Sequence, residues 1–289
     1  MTLLAQLWLR LPVLPRAVLV GLAVAAAGTV PWAALVSANI RYLSAVPWAV
    51  PVMAAYLWWF WWYFVNGSGW PGSTAVSRRT SARANRLPDE AWVPALFAGM
   101  RGLTSVLLLQ GLLGRLVTLP HQRDLDVSQY PVPTVFLWLL MGAVVAGVAE
   151  ETSFRGYLQR PIERRHGPLI AIMITGTLFA FVHFTHPQVG LVLLPYYIAV
   201  AAVYGGLAYV TDSTLPSMVL HAGGNMLSIL DLLARGRSEW QLTTAPQPSV
   251  WQAGVDAAFL GNLVALLIVA GAAVWAYVAL ARSVRTART

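Results

Sequence analysis

The sequence predicts an all-α protein, a polytopic helix bundle that crosses a membrane about eight times. Of its 289 residues, 58% are hydrophobic and only 10% are charged, whereas soluble domains carry about 25% charged residues. Eight stretches approach the roughly 20 apolar residues that a membrane-spanning helix needs. Cysteine is absent, which excludes disulfides, thiolate nucleophiles and cysteine-ligated metals. These observations exclude a disordered chain and an ordinary soluble enzyme.

The eight predicted spans are long apolar runs separated by short polar segments. They are Ala17–Ser37, Ala45–Val65, Pro94–Leu119, Thr134–Glu151, Leu169–Phe184, Leu193–Val210, Pro216–Leu233 and Val255–Ala281. The second is dense in the aromatic residues that favour the headgroup level. The fifth and seventh are the weakest, because they are short and carry polar side chains. We therefore expect a single integral membrane domain over residues 1–289, with its largest cytoplasmic loop at 66–92.

The arginine residues predict how the chain is oriented in the membrane. All 19 basic residues are arginine, and the net charge is +8. With eight spans, 13 arginines fall on the side of the two termini and 4 on the opposite side, while Arg101 and Arg115 lie inside the third span. The positive-inside rule then places both termini in the cytoplasm. The basic charge is thus explained by topology, and no nucleic-acid partner is expected.

Ionisable residues inside a span cost about 2.5–3.5 kcal/mol each on insertion scales, so they mark candidate functional positions. At the end of the fourth span, Glu151 and Arg155 are spaced i, i+4 and can pair on one helix face. Glu150 is turned by about 100° from that face, and it stays available as a base. In the alternative interpretation the helix ends in the cytosol, both acids are hydrated and Arg155 snorkels.

Two further polar signatures follow in the fifth and seventh spans. Phe179 precedes His183 by four residues, and a lone histidine on an apolar helix is more often a core residue than a catalyst. His221 precedes Asn225 by four residues, so that these two share a helix face. Together with Glu150 they suit hydrolysis: the glutamate as base on a water, His183 orienting that water, and His221 with Asn225 donating to an oxyanion. Glu150, His183 and His221 alternatively resemble a zinc site with two histidines and one glutamate. The cofactor is left open, with a divalent metal such as zinc as one alternative.

Depth in the membrane argues against a simple arrangement of straight helices. Counted at about 1.5 Å per residue, Glu150 falls near the cytoplasmic end of its span and His221 lies roughly 8 Å inside. His183 lies about 21 Å from the cytoplasmic start of a helix that begins at Leu169. We therefore expect that helix to start in the cytosol or to tilt strongly, or the bilayer to be thinned locally.

The three signatures, taken in order, resemble the motifs of a known family of membrane proteins. They read Glu150-Glu151-x-x-x-Arg155, Phe179-x-x-x-His183 and His221-x-x-x-Asn225. This set resembles the CPBP intramembrane protease family, which includes the CAAX prenyl endoproteases and the bacterial Abi-type membrane proteins. The similarity covers about residues 130–235, which would form the catalytic core.

The resemblance implies a role for each motif residue. Glu150 would be the catalytic glutamate, His183 its partner in activating water, and His221 with Asn225 the oxyanion site. The supporting residues would be Glu151, Arg155 and Phe179. The family has been described both as metalloproteases and as glutamate-type proteases, so the resemblance leaves both mechanisms open.

The sequence thus predicts an intramembrane endopeptidase that cuts a peptide bond near the cytoplasmic membrane surface. Its partners would be membrane lipid and a peptide or membrane-associated protein substrate, and nothing in the sequence implies that this substrate is prenylated. One alternative is a non-catalytic immunity or scaffold protein, in which the polar residues only hold helices together. A small-molecule transporter is less favoured, because the polar residues cluster in one half of the chain and no internal repeat is found.

Overall fold

The computed structural model describes residues 8, 10–117, 129–183, 187–235 and 248–286, with the backbone alone for 187–190 and 231–235. It is 86% helical, and the described residues contain no β-strand. The helices are α1 (Val13–Tyr42), α2 (Ala49–Phe60) with a π-helical extension (Trp61–Val65), a 3-10 turn (Gly72–Thr74), α3 (Ala75–Ala82), α4 (Asp89–Leu116), α5 (Val132–Val145), a π-helix (Ala146–Leu158), α6 (Gln159–His166), α7 (Pro168–His183), α8 (Pro187–Thr211), α9 (Leu215–Arg235), α10 (Val250–Ala253) and α11 (Ala257–Thr286).

Each of the eight predicted spans coincides with one of these helices. Within the described residues, five helical segments are long and apolar enough to cross a membrane, and Ala49–Val65 and Pro168–His183 are shorter apolar helices. A helical membrane bundle is therefore confirmed. The count of eight spans and the cytoplasmic position of the termini stay predictions, and the predicted loops around Arg123 and Arg237 lie outside the described residues.

The fourth span is much longer than the sequence predicts. Helix α5, the π-helix and α6 form one continuous 35-residue segment, Val132–His166. The residues after Glu150 add about 24 Å to the helix at 1.5 Å per residue, so the expectation that this glutamate lies near the end of its helix is wrong. Gly167 ends the segment with a φ of 84°, a conformation that glycine adopts without steric cost. Helix α7 begins at the next residue.

Helices α1 and α9 pack so closely against the π-helix that the contacts have no room for a side chain at two glycines. A Cβ at Gly28 of α1 would collide with Ala149, and a Cβ at Gly147 would collide with the backbone carbonyl of Met218 in α9. Glycine is needed at these two positions because neither leaves room for a side chain. The π-helix is thereby held between α1 and α9, with Glu150 beside the contact.

The segment predicted as the largest cytoplasmic loop is packed against the ends of three helices. The Arg83 guanidinium pairs with Glu163 of α6 and with Asp212, which connects α8 to α9, both at 2.9 Å. The backbone N–H of Thr214 donates to the carbonyl of Arg83 at 2.9 Å. These contacts fix the position at which α9 begins, and therefore the level of the polar residues one to two turns later.

Candidate active site

Three of the predicted site residues converge from three different elements. Glu150 comes from the π-helix, His183 from α7 and His221 from α9. Glu150 Oε2 lies 3.9 Å from His183 Nε2 and 4.0 Å from His221 Nε2, and the side chains are 15%, 28% and 10% exposed, respectively. Both distances exceed the hydrogen-bond range. The three atoms therefore face one another without bonding, an arrangement that can hold a water molecule.

A helical hairpin brings Glu150 and His183 to the same depth. Glu150 lies about 17 residues before Gly167 and His183 about 16 residues after it, on helices that run in opposite directions. One turn closer to the hairpin end, the rings of Phe154 and Phe179 meet edge to face at 5.0 Å. The long fourth helix thus removes the depth conflict, because both residues are counted from the same turn.

A fully buried ion pair positions the His221 ring. Glu151 Oε1 lies 2.8 Å from His221 Nδ1 and 3.2 Å from Arg155 Nη1, with the Glu151 and Arg155 side chains 0% and 1% exposed. Because a carboxylate only accepts, His221 Nδ1–H is the donor, and Nε2 is directed to Glu150. The predicted Glu151–Arg155 pair is confirmed. The alternative in which these residues are hydrated at a helix end is wrong, since the helix continues past them.

The backbone of α7 fixes the tautomer of His183. Its Nδ1 lies 2.8 Å from the carbonyl oxygen of Phe179, one turn earlier. A carbonyl only accepts, so Nδ1 carries a proton, and Nε2 faces Glu150. This contact gives a physical reason for the four-residue spacing between Phe179 and His183 in the second motif.

The Phe179 ring fills the centre of the site. It lies 4.2 Å from the His183 ring and 6.4 Å from the His221 ring, measured between centroids. The Arg155 guanidinium stands 4.9 Å from the Phe179 centroid. The buried cation is therefore in contact with aromatic rings, which attract it through their quadrupoles. Phe179 thus contacts the two histidines and the arginine at once.

Two tyrosines of α8 complete the site, and the sequence analysis missed both. Tyr204 stacks on the His221 ring with centroids 5.1 Å apart and an interplanar angle of 11°, and the Tyr197 ring lies 5.4 Å from the His183 ring. Both tyrosines are buried. Their signal in the sequence was a spacing of seven residues, which places them on one face of the sixth predicted span.

Asn225 is the predicted site residue that the structure does not bring into contact with the others. It lies one turn beyond His221 on α9, is half-buried, and makes no hydrogen bond to any residue that the structure describes. Between the two, on the face that His221 occupies, a Cβ at Gly224 would meet just the Tyr204 hydroxyl among the described residues, at 3.9 Å. The α9 surface next to His221 is therefore open. His186, a conceivable alternative ligand, lies outside the described residues.

The donors of the site are of the type that zinc uses, namely one carboxylate and two imidazole nitrogens. Their arrangement does not match a metal centre, however. Across the described part of the chain, no group of three or more His, Asp or Glu side chains is placed so that it could hold a metal ion.

A helical membrane bundle with a buried glutamate and two histidines defines a candidate membrane hydrolase. Residues 132–227 match the family model described as type II CAAX prenyl endopeptidase, Rce1-like. The matched segment runs from the start of α5 into α9 and contains all three motifs. The family predicted from the motifs is thus confirmed for this segment, and it supports an intramembrane protease. No curated protein and no solved structure matched the chain.

Proposed function

We propose that the protein hydrolyses a peptide bond at the membrane, near the cytoplasmic surface, with Glu150 as general base. The observation that carries this proposal is the convergence of Glu150 Oε2 on the Nε2 atoms of His183 and His221, at 3.9 and 4.0 Å. A carboxylate and two imidazoles at this separation can share one water molecule. We place both termini in the cytoplasm, as the arginine distribution predicts.

Glu150 and His183 together hold and activate the water. The water donates one hydrogen to the Glu150 carboxylate and the other to the unprotonated Nε2 of His183, so that an oxygen lone pair is directed at the substrate carbonyl. Glu150 takes the proton as the C–O bond forms. Because the Glu150 side chain is only 15% exposed, its electrostatic contacts are stronger than they would be in water.

His221 stabilises the negative charge that develops on the substrate. Glu150 and Glu151 carry two negative charges and Arg155 one positive charge, so a doubly protonated His221 brings the sum of these four to zero. Its Nε2–H then donates to the oxyanion, and the Asn225 amide is the second donor from one turn along α9. When the intermediate collapses, the C–N bond breaks and the proton on Glu150 passes to the departing amine. The products are a carboxylic acid and an amine.

The open surface of α9 gives the substrate backbone its path to these atoms. Gly224 lies three residues after His221 on the same face of α9, and among the described residues its missing Cβ would meet just the Tyr204 hydroxyl, at 3.9 Å. Since glycine has no side chain, an extended peptide can approach the helix closely at this point. The proposed substrate is therefore a peptide segment of a membrane-associated protein, recognised through its backbone.

Peptide hydrolysis can be tested without knowing the natural substrate. The purified protein is reconstituted in vesicles with a pool of membrane-anchored peptides, in water enriched in oxygen-18. We expect new carboxyl termini, each with one solvent oxygen, in the mass spectrum. A pool that stays as intact as in protein-free vesicles would contradict the proposal.

A scaffold role is the second candidate, because the buried Glu151–Arg155–His221 cluster also joins the π-helix to α9. Glu150 distinguishes the two functions, since its carboxylate makes no hydrogen bond to a described residue. Under the peptidase proposal, Glu150→Gln abolishes hydrolysis and leaves the unfolding temperature unchanged. Under the scaffold alternative, the same substitution lowers the unfolding temperature and leaves the cellular function intact.

A further inference from the structure

An apolar cavity lies on the side of α8 that faces away from the histidines. It is lined by α4, α8 and α11 and has a volume of about 540 Å³. This volume is within the range of roughly 300–1,000 Å³ for ligand pockets. Its walls include Leu109, Ala199 and Ala270. The two hydroxyl groups of the lining, on Ser105 and Tyr277, both donate to backbone carbonyls. The cavity therefore suits a hydrocarbon chain.

A cation without an acidic partner stands next to this cavity. Arg101 lies one turn before Ser105 on α4, is half-buried, and forms no ion pair with any residue that the structure describes. Its guanidinium lies 4.0 Å from the centroid of the Phe97 ring. A charge within a membrane span needs an anion or water to offset its desolvation. Nothing in the proposed catalytic mechanism uses Arg101.

Arg101 and the cavity follow each other along α4 in the same order as the phosphate headgroup and the acyl chain of a lipid. Helix α4 has 28 residues and is about 42 Å long, close to the ~40–45 Å of a bilayer with its headgroups. The Arg101 side chain points back over Phe97, to a level about 12 Å from the start of the helix. The cavity lies deeper, along Gly102 to Leu109. A phosphate at Arg101 would thus have its acyl chain beside the cavity.

We propose that α4, α8 and α11 bind an anionic phospholipid, with its phosphate on Arg101 and one acyl chain in the cavity. The charge of Arg101 favours an anionic headgroup, and arginine can bind phosphate through two parallel hydrogen bonds. The bound chain contacts Ala199 and Val203 of α8, whose other face carries the tyrosines of the active site. This site is independent of the peptidase proposal, because it shares no residue with the catalytic groups.

Lipid retention measures this binding directly. The protein is reconstituted in nanodiscs with equal amounts of phosphatidylglycerol and phosphatidylcholine, released in detergent, and analysed by native mass spectrometry. We expect one retained phosphatidylglycerol, held about fivefold more weakly after Arg101→Gln, as for loss of one basic contact. Ala270→Phe fills the cavity and should also reduce retention. The matched controls Arg164→Gln and Ala279→Phe change exposed residues outside the lining and should retain the lipid.

Equal retention in wild type, Arg101→Gln and Ala270→Phe would overturn the proposal. So would losses of the same size in the two control variants, or displacement of the lipid by soluble glycerol phosphate, which has no chain to fill the cavity. The thermal unfolding of each variant is measured in parallel. Arg101→Lys keeps the charge and should keep most of the bound lipid, which distinguishes a lost phosphate contact from a misfolded helix.

Discussion

Glu151→Gln removes the carboxylate that the two buried cationic side chains of the site share. Glu151 Oε1 lies 2.8 Å from His221 Nδ1 and 3.2 Å from Arg155 Nη1. Apart from this ion pair, the Arg155 guanidinium makes no hydrogen bond to a described residue. After the substitution, Arg155 is a buried charge without a counter-ion, and the His221 ring loses the acceptor that fixes its orientation.

The burial of the pair sets the size of the effect. Exposed ion pairs contribute about 0–1 kcal/mol, but Glu151 and Arg155 are 0% and 1% exposed. Removing one partner of a buried pair costs about 3–5 kcal/mol, and we expect Glu151→Gln to lower the free energy of unfolding by that amount. In serine proteases, loss of the carboxylate that orients the histidine lowers kcat about 10⁴-fold. We expect a fall of similar order here.

The loss of stability is measured by unfolding in detergent, monitored by tryptophan fluorescence. The fall in kcat is measured by peptidase turnover. The matched control is the double variant Glu151→Gln with Arg155→Met. It removes both charges, so its loss of unfolding free energy should be smaller than the summed losses of the two single variants by about 0.5–3 kcal/mol. Its turnover should stay low. A loss of less than about 1 kcal/mol in Glu151→Gln, or strictly additive losses in the double variant, would refute the reasoning.

Three further predictions concern substrate access, packing and the cytoplasmic contacts. Gly224→Leu should raise KM for peptides without changing the unfolding temperature, because its Cβ would meet just the Tyr204 hydroxyl at 3.9 Å among the described residues, whereas Gly147→Leu should unfold the bundle; an unchanged KM would contradict the proposed peptide path. Tyr204→Phe should keep kcat, while Tyr204→Leu should lower it about two- to tenfold by loss of the ring stack on the histidine; equal kcat values would contradict a positioning role. Arg83→Met leaves Glu163, whose side chain is 9% exposed, without this cationic partner and should cost about 3 kcal/mol in unfolding measurements, and a change below about 1 kcal/mol would show that this contact does not hold the helices.

The sequence was sufficient to predict the helices but not the length of the fourth one. Apolar runs of about 20 residues located the eight helices that coincide with predicted spans, because lipid imposes that length. Residues 159–166 are mostly polar, so hydropathy assigned them to a loop, although they continue the helix as α6. The π-helical hydrogen bonds over Ala146–Leu158 leave no signal in apolar periodicity. The depth conflict at His183 arose from this one misplaced helix end.

The site was predictable where its residues lie one helical turn apart. The Glu151–Arg155 pair and the Phe179–His183 contact follow from i, i+4 spacing. The bond from His221 to Glu151 joins residues 70 positions apart, and no local pattern predicts it. Tyr204 was missed for the same reason, since a tyrosine in an apolar span becomes a site residue only through the helix packed against it.

The turnover of Glu150→Gln on a peptide substrate, compared with wild type and Glu90→Gln, tests the central claim most directly. Glu90 is an exposed acid in the first turn of α4, so its variant controls for the loss of one carboxylate. The account predicts no detectable hydrolysis by Glu150→Gln, with wild-type hydrolysis by Glu90→Gln and equal unfolding temperatures in all three proteins. Hydrolysis by Glu150→Gln at the wild-type rate would contradict the assignment of Glu150 as the base.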